Sequence, residues 1–400
     1  MNATGPSGGV TRTELGAGAS AVVLALLALP IGPAARLTLG CILAVVVMVE
    51  RVNSVDTSAI FESRARWWLV ASLAWLGLTA ITGLDAGLSL VWLVAFSGCV
   101  LFGAMTVHWF GAEVATRVLF TGLVVPVVVA LFSIVGPVVA DGVFDVSERV
   151  VINKDLAAFF AVAGALLVRF SPALARLTPL AAATSYVLAA IVLVASDSRS
   201  MAVAGVLALG YGLACAGRQR LVAGAALAAI GGWVAAVAVL GVDAGGVFDL
   251  ISSDVAEGGG RNHLWAAAWT ALVDRPLLGF GLGTHVDVLL GARLESLFGI
   301  STITTHNSLL FAGLSGGFPA LALLVGTTVA AMRRAPESLR VILVAVVVFG
   351  LGDAPMETPG IVLAIFGMAA AGVVSSRAAS GESATARNQP VSAPPPRRVR

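Results

Sequence analysis

Lysine is almost absent from this sequence, and so are most residues that carry chemistry in water. All but one of its 24 basic residues are arginine, Lys154 being the exception, and only 12% of its 400 residues are charged. The formal charge is +2 with no long basic stripe, which argues against nucleic acid as a partner. There are three cysteines, Cys41, Cys99 and Cys215. Each lies inside an apolar run and their spacing is not paired, so neither a disulfide framework nor a thiolate metal site is indicated. Polar surface is scarcest of all. At 58% hydrophobic residues and a mean hydropathy of +0.97, the chain cannot clothe a water-soluble core. What it has in abundance is apolar sequence, and the fold class that follows is all-α, a polytopic membrane protein.

After a polar arm of residues 1–20, twelve apolar runs follow: 21–31, 37–49, 67–81, 87–107, 118–139, 156–168, 177–194, 201–216, 221–242, 308–331, 341–351 and 361–374. Several are shorter than the roughly 20 residues of a straight crossing helix. Twelve spans, give or take one, is the expectation. The first run is short enough to pass for a signal-peptide core, but the eleven behind it favour an uncleaved span. With the N-terminus inside, the inner segments hold 17 of the 24 basic residues. Such a bias places both termini in the cytoplasm. Residues 21–242 are then spans one to nine, 243–307 a large extracytoplasmic loop with interfacial helices, 308–376 spans ten to twelve, and 377–400 a Pro-rich, disordered cytoplasmic tail.

The polar residues worth weighing lie on the outer face. Arg199 sits in Ser-Asp-Ser-Arg-Ser between the seventh and eighth spans, where a guanidinium can fork onto phosphate oxygens or reach lipid headgroups. Arg261 follows three glycines and opens a helical pattern in which Leu264, Ala268 and Leu272 recur at four-residue spacing, with Trp265 and Trp269 on a neighbouring face. A helix along the interface with its N-terminus aimed at an anion is one reading; a glycine hinge with a surface arginine is the other. His306 precedes Asn307 at the mouth of the tenth span. Its imidazole could take a proton from a hydroxyl, or it could merely flank a helix cap made by Asn307 or Thr305.

Taken in order, Ser-Arg after a span, Arg-x-x-x-Trp leading to Pro-Leu-Leu-Gly-Phe-Gly-Leu-Gly, and Thr-His-Asn entering a span with Gly316 and Gly317 downstream resemble the O-antigen ligase and O-antigen polymerase superfamily of bacterial envelope enzymes. The resemblance spans the topology, with its motifs confined to residues 198–317. It implies a metal-independent, inverting, GT-C-like glycosyltransferase of the cytoplasmic (inner) membrane that needs no cofactor. Its donor would be a polyprenyl-diphosphate-linked glycan on the outer leaflet, its acceptor a hydroxyl-bearing envelope molecule, and its medium the lipid bilayer. Arg199 and Arg261 would clamp the diphosphate and His306 would activate the acceptor or assist departure. Ser200 stands where the family often has Gly, and Ser315 where it often has an acid, which bears on acceptor choice.

Further candidates for substrate binding are Asn153 and Lys154 at the outer mouth of the sixth span, Asn307, Trp265, and His285, Arg275 and Arg293 in the large loop, with His263 beside them. Asp353 and Glu357, beyond the eleventh span, could orient His306. Pro276, Gly279, Gly281 and Gly283 read as turn formers, since the Gly-Phe-Gly-Leu-Gly run lacks the strand and helix of a dinucleotide loop. Two other functions stand beside the ligase: a polymerase of the same superfamily joining lipid-linked repeats, and a lipid-linked oligosaccharide flippase or other transporter. Transporters commonly show related halves, and no internal repeat is evident here. Other lipid-phosphate-sugar transferases usually need an acidic motif in the first outer loop, which here is only residues 32–36.

Overall fold

In the computed structural model the described residues are 12–29, 33–53, 64–141, 154–175, 177, 179–196, 198–220, 261–285, 288–289, 305–333, 335–352, 356 and 360–371. For Lys154, Arg199, Arg261, Asn262 and His263 the description covers the backbone alone. All regular structure among the described residues is helical: α1 Arg12–Ala28, α2 Pro33–Asn53, α3 Arg64–Thr82, α4 Ala86–Asp141, α5 Lys154–Phe170, α6 Pro179–Ser196, α7 Arg199–Cys215, α8 Arg261–Asp274, α9 Ser308–Met332, α10 Glu337–Gly352 and α11 Ile361–Ala371. A helix covers all or most of each apolar run that falls among these residues. The ninth run, 221–242, lies outside them. Among the described residues, two stretches are long and apolar enough to cross a membrane by length and composition, Ala86–Phe132 and Ser308–Met332.

α4 is the central element and covers two apolar runs. At Gly111 its backbone leaves the helical region, with φ 74 and ψ 165, so it is two helices joined at one residue. Asp85 caps its start, Oδ1 accepting from Leu88 N at 2.8 Å. The first half lies between α2 and α11, and small residues set that spacing. A side chain on Gly98 would strike the Gly40 carbonyl, one on Gly103 the Ala364 carbonyl, and one on Gly367 the Val100 carbonyl. Without water to drive apolar helices together, such close backbone approach is what binds them. The second half packs on α1, with Gly122 against Leu24. On the far side α5 meets α10 through stacked Phe159 and Phe349 rings, 5.9 Å between centroids.

α9 is broken, and its break shapes the region around the candidate site. Gly316 (φ −151, ψ 23) and Gly317 (φ 70, ψ −170) leave the helix just before Pro319. An interrupted helix frees backbone groups that cannot go unpaired in an apolar setting. The Pro-Leu-Leu-Gly-Phe-Gly segment answers them: Phe280 N donates to Leu314 O at 2.7 Å, Gly281 N to Ser315 O at 3.1 Å, and Phe318 N to Pro276 O at 2.7 Å. Trp75 of α3 donates its indole N–H to Gly316 O at 2.8 Å. The same segment is held from behind, since Leu84 N donates to Phe280 O at 2.9 Å and Ser89 Oγ to Leu282 O at 3.0 Å. α8 therefore runs lengthwise along the first half of α9, Leu272 against Gly313, and the chain turns at the break.

Candidate functional site

Three helices begin at one place, and each begins at a motif singled out in the sequence. α7 starts at Arg199, α8 at Arg261 and α9 just after His306 and Asn307. The C-terminal end of α10 sits among them. Asn307 Nδ2 donates to Leu351 O at 3.0 Å, while a Cβ on Gly352 would lie 3.3 Å from the Ser200 Cβ and one on Gly350 would lie 3.0 Å from Ser308 Oγ. α8 joins from its own side, Trp265 Nε1 donating to Thr305 O at 3.0 Å. The starts differ in their capping: Ser198 makes no side-chain cap on α7, whereas the first amides of α9 are taken up by Asn307; each start also carries the positive end of a helix dipole. Ser198, ahead of Arg199, is 3% exposed, and its hydroxyl has no hydrogen-bond partner among the described residues.

The Thr-His-Asn turn is built tightly. Asn307 caps α9, Oδ1 accepting from Leu309 N at 2.9 Å and Leu310 N at 3.1 Å. Thr305, fully buried, donates from Oγ1 to Asn307 O at 3.1 Å. Between them His306 takes φ 46, the only positive φ among described non-glycine residues. The left-handed region costs an ordinary residue about 1–2 kcal/mol, and such conformations persist where their surroundings over-determine them. On its inner side the turn is backed by an apolar cavity of about 90 Å³ whose lining includes Ser308, Phe311, Ser315, Leu282 and Met356.

The other singled-out residues divide. Both ends of the Asn307 amide are engaged within the protein, so it shapes the turn. Trp265 is half-buried and tied to Thr305. His285 is buried with its ring edge-on to Trp92 and Phe311, at 6.3 and 5.1 Å between centroids; burial pushes its pKa down to about 4. Arg275 is exposed and covers the Phe280 ring at 4.9 Å, holding the loop by cation–π attraction. Lys154 is the first residue of α5 and His263 the third of α8. Asn153, Arg293, Asp353 and Glu357 lie outside the described residues. Sequence reasoning did not single out Leu351 and Gly352, whose contribution is a backbone carbonyl and a missing side chain. Nor did it foresee Trp75, whose partner is 241 positions away.

No curated protein matches the chain. A family model does: residues 184–325 match the family described as O-Antigen ligase. The matched stretch begins in α6 and ends within α9, so it contains all three helix starts. Over that stretch the chain is similar to the O-antigen ligase family, and the match supports a place in the O-antigen ligase superfamily.

Proposed function

We propose that the protein is a membrane-embedded glycan ligase, transferring a glycan from a polyprenyl-diphosphate carrier to a hydroxyl of an envelope acceptor on the outer face of the cytoplasmic membrane. The observation that carries this reading is the meeting of the three helix starts, with Arg199, Arg261 and His306 at their heads. A diphosphate leaving group gathers negative charge as its bond to the sugar breaks. Fixed guanidinium groups and helix N-termini stabilise that charge most where water is scarce. The Ser198 hydroxyl, without a hydrogen-bond partner among the described residues, supplies one more donor for an oxygen-rich ligand.

In this mechanism the acceptor oxygen attacks the anomeric carbon from the face opposite the leaving group, the C1–O bond to phosphate breaks, and the electron pair departs with polyprenyl diphosphate. His306 takes the acceptor's proton. Inversion at C1 follows from a single displacement, and Arg199 and Arg261 hold the leaving diphosphate. Replacing His306 by Ala is expected to abolish transfer in reconstituted protein while leaving folding intact, because the turn is held through Thr305 and Asn307. Wild-type turnover in His306→Ala would remove it from the chemistry. A polymerase joining lipid-linked repeats uses the same leaving group, and would be recognised by lengthening glycans in the absence of any other acceptor.

A further inference from the structure

Trp265 stands 40 positions before Thr305 in the chain and one hydrogen bond from it. It lies four residues after Arg261, just over one turn along the same helix. One helix therefore carries both a proposed diphosphate clamp at its head and a tether to the turn that bears His306. The turn needs tethers, because His306 holds a left-handed backbone that its own side chain disfavours. Asn307 secures it from the far side by binding Leu351 O and the α9 amides. On the near side the tether from another helix is the indole of Trp265, which fixes the carbonyl of the residue immediately before His306.

We propose that Trp265 is a positioning residue: its indole N–H holds the Thr305 carbonyl, keeps His306 in the left-handed conformation, and ties the imidazole's position to the helix headed by Arg261. This rests on the reading of His306 as the group that takes the acceptor's proton. Trp265 itself contacts no reacting atom. Binding of the diphosphate at the head of α8 is then transmitted along one helical turn to the acceptor side, so the two substrates are aligned by a single rigid element. A displacement of about 1 Å at a reacting group can cost on the order of a hundredfold in rate.

Two variants and two readouts test this. Trp265→Phe keeps a ring and loses the donor; benzothienylalanine at position 265 replaces the N–H by sulfur at nearly constant shape, and serves if the Phe variant does not fold. The first readout is steady-state transfer. Turnover is expected to fall about tenfold or more with the donor KM within about twofold. The second needs no activity: the protein has four histidines, so ring-labelled histidine gives four resonances, and the one lost in His306→Ala is expected to shift and broaden when the indole donor is removed. A raised donor KM at unchanged turnover would make Trp265 a substrate contact instead. An unmoved His306 resonance would overturn the proposal outright. If the wild type releases no polyprenyl diphosphate, the ligase reading fails, while the resonance still decides whether Trp265 holds the turn.

Discussion

Replacing Gly317 by Ala attacks a place where an interrupted helix and a loop depend on each other. Its backbone, φ 70 and ψ −170, lies in a region that is essentially glycine's alone, and a side chain there costs about 1–3 kcal/mol. An added Cβ would also strike the carbonyls of Pro276 and Leu277. These are backbone atoms that cannot swing aside, so the loop must lift and the 2.7 Å bond from Phe318 N to Pro276 O is lost, worth about 0.5–1.5 kcal/mol. Together the loss is about 2–4 kcal/mol. Gly313→Ala on the same helix is a milder comparison, since the nearest atoms to its Cβ belong to the Leu272 side chain rather than to backbone. Gly18→Ala, a helical position with nothing within 4 Å of the new atom, should be neutral or slightly stabilising. Unfolding of the three variants in mixed detergent, followed by tryptophan fluorescence, should rank Gly317→Ala far below the others. A Gly317→Ala protein with the wild-type midpoint would refute the docking of the loop on the break.

Two further outcomes follow from the site. Arg199→Lys should impair turnover although the charge is kept, because a compact ammonium cannot reproduce the planar fork of a guanidinium; full activity in purified protein would count against a bidentate clamp. His285 should make the fold acid-sensitive. Its folded pKa of about 4 lies below the ordinary value near 6.5, so the unfolded chain takes up a proton that the folded site refuses. Its contribution is whole above about pH 6.5 and is lost as pH falls from there toward 4, by up to about 3 kcal/mol. Unfolding midpoints measured over that interval should fall more steeply for the wild type than for His285→Phe, and parallel slopes would show that the imidazole is not held neutral.

The sequence made the helices legible, because a run of apolar residues in a chain this poor in charge has few alternatives to helix. It also made the helix heads legible, since Ser198, Arg199, Arg261, His306 and Asn307 are the polar interruptions that apolar composition does not explain. What it could not disclose is who pairs with whom. Gly316 and Gly317 read as downstream glycines of a span, yet their function is to open α9 so that Leu314, Ser315 and Gly316 carbonyls can receive Phe280, Gly281 and Trp75. His285 looked like a polar loop residue with access to substrate; tertiary packing against Trp92 and Phe311 buries it. The Pro-Leu-Leu-Gly-Phe-Gly-Leu-Gly run promised turns, and Gly279, Gly281 and Gly283 do take positive φ. Where those turns dock was set by residues far away in the chain.

The central claim is that helix starts headed by arginine bind a diphosphate leaving group, and release of that group tests it most directly. Purified protein in nanodiscs is given a polyprenyl-diphosphate-linked glycan, without and then with an envelope extract, and free polyprenyl diphosphate is followed beside Arg261→Ala. Release that requires the extract and is lost in Arg261→Ala is the expected result. Wild-type release in Arg261→Ala, or no release at all with labelled lipid crossing the bilayer instead, would contradict it.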